Sequence, residues 1–118
     1  MNEHIQQLID ALRSNKYKQT RGQLRVNDCF CVIGVAANVA DPSRWEADHF
    51  WGCPNDYSYM GLIGSIPENV PEYYGFSQHF LVSLMRLNDA FGYPFPQLAD
   101  VIEKAVADGT AFNEGFEI

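Results

Sequence analysis

A chain of 118 residues, 47% hydrophobic and 14% aromatic, is long enough to bury one core and too short for two. A formal net charge of −7 excludes the broad basic face that long duplex nucleic acid requires, and no apolar run approaches the roughly 18 residues that cross a membrane. Met1 to Ile9 is polar and amphipathic rather than a leader, and the odd set Cys29, Cys31 and Cys53 is no disulfide framework, so the chain reads as one cytoplasmic domain, residues 1–118, with reduced thiols.

Ile5, Leu8, Ile9 and Leu12 have the spacing of an amphipathic helix over about residues 2–14, ended by Ser14-Asn15. Tyr17–Gln19 and Gln23–Val26 read as short strands around Thr20-Arg21-Gly22, which predicts a small β-hairpin at residues 17–26. Asn27-Asp28 is then placed to cap a helix over residues 29–39. That helix has no polar face, the pattern of a central, buried element, and its Gly34 suits close approach by a neighbour.

Residues 40–66 read as a long loop, punctuated by Asp41-Pro42, Gly52, Pro54, Gly61 and Gly64 and rich in Trp45, Phe50, Trp51, Tyr57 and Tyr59. Pro67–Tyr74 is a short helix stopped by Gly75. Ser77 caps a helix carrying Phe80, Leu81, Leu84 and Leu87. Phe91-Gly92 makes a turn, and Phe95, Leu98, Ile102 and Val106 face inward from a last helix that ends at Gly109. The expected fold is α+β and mostly helical: a single small domain around the central buried helix, with the small N-terminal hairpin beside it.

Charge is unevenly distributed. Arg13, Lys16, Lys18, Arg21 and Arg25 fall within residues 11–25, where there is no acid, whereas residues 26–118 hold thirteen acids against Arg44, Arg86 and Lys104. A compact basic segment in an acidic chain suits a small anion or one acidic patch on a partner. Lys16, Lys18, Arg21 and Arg25 supply cations, and Gly22 and the cap at Asn27-Asp28 supply backbone amides. Tyr17, Trp45 and Trp51 supply flat faces for a nucleotide base, and the aromatic surplus also leaves material for a homo-oligomer interface.

Catalysis has thinner support. Cys29 at the predicted helix start, His79 and Asn88 follow the Cys…His…Asn order of papain-like enzymes, but His79 and Asn88 share one predicted helix nine residues apart. His4, His49, Cys29, Cys31 and Cys53 form no metal-ligand spacing, and no phosphate-loop or dinucleotide motif is present. No metal or cofactor is expected, and the balance favours binding over turnover.

The stretch LRSNKYKQTRGQLRVNDCFCVIGVAANVADPSRW resembles the opening of a family of small phage and prophage proteins, in which Leu-Arg-Ser-Gly-Lys-Tyr-Lys-Gln leads to a basic Gly turn and a Phe-Cys-Cys-Leu-Gly-Val-Leu-Cys-Asp helix. SIPENVPEYYGF and LMRLNDAFGYPFPQLADVIEKA are similar to its later segments, so the resemblance spans about residues 11–106. Cys31 matches the first cysteine of that helix, while Val32, Ala37 and Asn38 replace the next two cysteines and the Asp. The resemblance implies a phage-type accessory protein working in the host cytoplasm. Two binding roles fit that origin: sequestering a nucleotide-like anionic signal at the basic hairpin to counter host defence, or presenting an acidic, DNA-mimicking face that inhibits a host defence protein, of the anti-CRISPR or anti-nuclease type. A cysteine-dependent hydrolase is the third reading.

Overall fold

The computed structural model describes residues 2–48 and 56–112. Five α-helices and a five-stranded sheet account for the fold, which is α+β and mostly helical.

Helix α1, Glu3–Arg13, is capped by Asn2, whose side chain accepts from the Ile5 amide at 2.8 Å, and it buries Ile5, Leu8, Ile9 and Leu12. Strands β1 (Lys18–Gln19), β2 (Arg25–Val26) and β3 (Cys29–Phe30) follow, and then α2, Val32–Ala40. The central helix is therefore present but opens three residues later than its apolar run suggests. Cys29 and Phe30 are strand, and the cap is Cys31, whose sulfur accepts from the Gly34 amide at 3.3 Å. Six of the nine residues of α2, Val32 to Ala37, are buried.

The hairpin at residues 17–26 takes a different form. Its two strands do not pair with each other, because β3 lies between them, parallel to β1 and antiparallel to β2. Asn27-Asp28, expected as a helix cap, is the tight turn between β2 and β3, with Asn27 at φ 54°. The supposed loop of residues 40–66 also holds structure. A 3-10 turn, Pro42–Arg44, leads into β4 (Trp45–Asp48), which pairs antiparallel with β5 (Asp56–Tyr59). The sheet order is β1-β3-β2-β5-β4. After β5 the chain reverses at Met60-Gly61, both at positive φ, and runs back so that the Ile63 carbonyl accepts from the Leu24 amide at 2.7 Å.

Helices α3 (Asn69–Tyr74), α4 (Gln78–Asp89) and α5 (Phe95–Asp108) complete the fold, with Gly75 and Gly109 as left-handed C-caps and Ser77 capping α4 through the Phe80 amide. Helix α2 packs against α1, α3 and α4, and α5 packs along α1. Two buried tyrosines finish the C-terminal end of α2: the Tyr74 hydroxyl donates to the Ala36 carbonyl at 2.6 Å, and Tyr59 lies within reach of the Ala37 and Asp41 carbonyls at 3.2 and 2.8 Å. The Ala37 carbonyl also accepts from the Asp41 amide at 2.9 Å, so the tyrosine hydroxyls add partners at the end of the helix. No helix among the described residues is long and apolar enough to cross a membrane.

Candidate ligand-binding surface

Sheet register determines where the basic residues go. Arg25 stands opposite Phe30, which stands opposite Gln19, whereas Lys18 is in line with Cys29 and Val26. Side chains alternate between faces along a strand, so Arg25 and Lys18 project to opposite sides of the sheet. The five cations do not converge on one point. Arg13 is held on α5 by Asp100 and Glu103 at 2.7 and 3.3 Å, bonds that raise its pKa. Arg21 lies against Gly92, where its guanidinium occupies the space a Cβ would need. Gly22 turns the chain at φ 80° with open space around it. No helix N-terminus stands beside Asn27-Asp28, so the backbone donors expected there for an anion are absent from that position.

Arg25 is the cation of the set that meets the aromatic rings. Its guanidinium carbon lies 3.8 Å from the ring centre of Tyr57, 5.0 Å from Phe30 and 5.5 Å from Trp45, and its Nε donates to the Asn27 carbonyl at 2.7 Å. A guanidinium over aromatic rings is favourable, and the contacts narrow the positions open to the fork. Its two terminal nitrogens make no hydrogen bond or ion pair among the described residues.

The rings beneath form a continuous series. Tyr17 meets Phe30 edge-on at 5.1 Å, Phe30 meets Trp45 at 5.8 Å, and Trp45 meets Tyr59 at 4.9 Å. One amide ties the series to the buried helix: Asn38 of α2 donates to the Tyr17 hydroxyl at 2.9 Å and accepts from the Trp45 indole at 3.0 Å. Tyr17 also faces a groove of about 500 Å³ between α1 and the end of α2, shared with Asp10, Ser14, Lys16 and Val39. Tyr17, Arg25 and Trp45 thus belong to one surface, and Lys16 borders it through the groove. Lys18 and Arg21 lie outside it, and Trp51 falls outside the described residues. Tyr57, one of the aromatic surplus, joins the surface, and Phe30 and Asn38 are members that were not expected from the chain. The available signal was Asn38, a polar residue inside an otherwise apolar helix.

The geometry does not assemble a Cys-His-Asn site. Cys29 is half-buried on β3 and not at a helix N-terminus. His79 is exposed in the first turn of α4, and Asn88 lies in its last turn, about 13 Å along the axis at 1.5 Å per residue. Asn88 has a structural role instead. Fully buried, it accepts from Gln19 Nε2 at 2.8 Å and from the Val32 amide at 3.2 Å, and donates to the Thr20 carbonyl at 2.9 Å. It joins α4 to β1 and to the start of α2. The Cys31 thiol is pushed up to about 12, chiefly by burial, so it is neutral at physiological pH. No cluster of three metal-ligating side chains occurs among the described residues.

A family model described as a domain of unknown function, DUF8296, matches residues 1–106, and the chain belongs to that family. No curated protein and no solved structure matches the chain.

Proposed function

We propose that this member of the DUF8296 family is a phage-type accessory protein acting by stoichiometric binding, which withdraws a nucleotide-like anionic signal from a host defence system. The observation that carries the reading is Arg25. A guanidinium 3.8 Å over the Tyr57 ring, flanked by Phe30 and Trp45 and with Nε bound to the Asn27 carbonyl, has fewer rotamers open to it before any ligand arrives. Its two terminal nitrogens present a planar fork of the shape that a phosphate or carboxylate accepts. Ordering the side chain in advance removes part of the entropic cost of binding.

The groove beside Tyr17 and Lys16 adds an aromatic face and a second cation next to the same ring series. Holding a ligand requires nothing more, whereas turnover needs a nucleophile or a base, and neither the buried Cys31 thiol nor the separated pair His79 and Asn88 supplies one. Thermal shift against cyclic and ADP-ribose-derived nucleotides tests the reading. At least one of them raises the melting temperature, and the effect is lost in Arg25→Ala; no stabilisation by any of them up to millimolar concentration sinks it.

One observation favours a second reading, inhibition of a host defence protein through an acidic face. Residues 26–118 hold thirteen acids against three bases. Of these acids, Glu46, Glu68, Glu72, Asp100, Glu103 and Asp108 are exposed, and Glu46 lies on the edge strand β4. Acid-to-Lys changes at Asp41 and Glu46 then weaken capture of a host protein and its salt dependence, while Lys18→Glu and Arg21→Glu do little.

A further inference from the structure

We infer that the cleft where α1 and α3 meet the turn after α2 is a second binding site, and that it takes a primary ammonium group. The cleft is about 400 Å³ and is lined by His4, Asp41, Arg44, Asn69, Glu72 and Tyr73. Asn69, Glu72 and Tyr73 are three and four residues apart on α3, so they share one helix face.

The hydrogen bonds determine which groups still lack a partner. The Tyr59 hydroxyl points its hydrogen at the Asp41 and Ala37 carbonyls, so toward Asn69 it accepts, and the Asn69 Nδ2 donates to it at 3.0 Å. The amide orientation follows. Asn69 Oδ1 is left buried with no hydrogen-bond partner, the one such side-chain atom among the described residues. A buried carbonyl oxygen without a donor is a standing cost that an N–H group would relieve.

On the facing side, the His4 ring stacks on Tyr73 at 3.9 Å and 7°, with Nδ1 2.9 Å from the Tyr73 carbonyl oxygen. A carbonyl only accepts, so Nδ1 is the donor of this contact, which holds the ring on Tyr73. Arg44, the cation of the cleft, is held by Asp41 at 2.8 Å and by the Met60 sulfur at 3.3 Å. Glu72 is exposed and has no ion pair among the described residues. The acceptors of the cleft left without a donor are therefore Asn69 Oδ1 and the Glu72 carboxylate.

A carboxylate with a neutral acceptor three residues away on the same helix face calls for a cation carrying more than one N–H bond. Because Oδ1 lies below the surface, a slender group suits it better than a planar guanidinium. A primary ammonium supplies three donors on one atom, and the His4–Tyr73 stack offers ring surface to the carbon chain behind it. The ammonium can belong to a free aliphatic amine or to a lysine side chain. The site is independent of Arg25 and opposite to it in the charge it selects.

Titration of the 15N-labelled full chain with n-butylammonium chloride, followed by NMR, tests the assignment. The Asn69 side-chain amide and the Glu72 and Tyr73 backbone signals shift saturably, and butyltrimethylammonium, which has no N–H donor, leaves them in place. Glu72→Gln, an exposed change that keeps the fold, weakens binding about tenfold by removing a charge-assisted bond, and Arg25→Lys leaves it unchanged. N-acetyl-lysine amide binding more tightly than butylammonium assigns the site to a partner's lysine, and the reverse order assigns it to a free amine. Absence of saturable shifts, an equal response to both ammonium salts, or full affinity in Glu72→Gln overturns the proposal.

Discussion

Gly34 lies directly beneath the backbone carbonyl of Leu24, so close that a Cβ at position 34 would overlap that oxygen. The Leu24 carbonyl is fixed there because it accepts from the Cys31 amide at 3.1 Å, while the Leu24 amide is bound to Ile63. The contact joins the buried helix to the residue that leads into Arg25 and β2.

Gly34→Leu therefore destabilises the domain by about 1–3 kcal/mol or more, since the clash is with backbone held on both sides. Lys16→Ala, on the exposed rim of the groove, changes stability by roughly 0–1 kcal/mol. Urea denaturation of the two variants checks the contrast. An unchanged midpoint for Gly34→Leu would mean that α2 does not seat against Leu24.

Asn88→Leu leaves the Val32 amide and the Thr20 carbonyl without their buried partner, while Gln19 Nε2 keeps the Tyr93 carbonyl at 2.7 Å. The expected loss is on the order of 3 kcal/mol, as each stranded polar group costs about 1–3 kcal/mol before relaxation. His79→Ala, at an exposed position, leaves the denaturation curve where it was. Equal effects of the two substitutions would argue against Asn88 as the junction of α4, β1 and α2.

Cys31 links stability to alkaline pH. Its thiol is held up at about 12 in the folded chain, against 9.0 as the ordinary value, so the folded state keeps a proton that the unfolded state gives up. The stabilisation is whole below pH 9 and is lost as pH rises from 9 toward 12. The difference in stability between wild type and Cys31→Ser changes over that interval and is flat below it. Iodoacetamide at neutral pH labels the half-buried Cys29 before Cys31. Rapid labelling of Cys31 would contradict its burial as the cap of α2.

Much of the helical framework is legible in the sequence. Helices α1, α4 and α5 follow from apolar spacing, and the latter two also from Ser77 and Gly109, because in each one face is apolar and the other polar. The start of α2 is not legible. A continuous apolar run reads alike as buried strand or buried helix, and a thiol is an unusual cap, so Cys29 and Phe30 pass for helix. The pair β4 and β5 is hidden for another reason: WEAD and DYSY are four-residue strands with polar alternation, set among turn residues. Pairing of β1 with β3 rather than β2 is non-local and leaves no trace in the turn chemistry.

The candidate surface was half legible. An excess of aromatic residues and a compact basic segment are visible in the chain. Which cation meets the rings is a matter of register, since a slip of one residue would exchange the faces of Arg25 and Val26.

The anion-binding account rests on Arg25, and a guanidinium held on rings is not replaced by an ammonium. The most direct measurement is isothermal titration of the most stabilising nucleotide against wild type and Arg25→Lys. The account predicts one ligand per chain for wild type and affinity lowered about tenfold or more in the variant, the loss of one charge-assisted fork. Equal affinities for the two proteins, or no saturable heat from either, would contradict it.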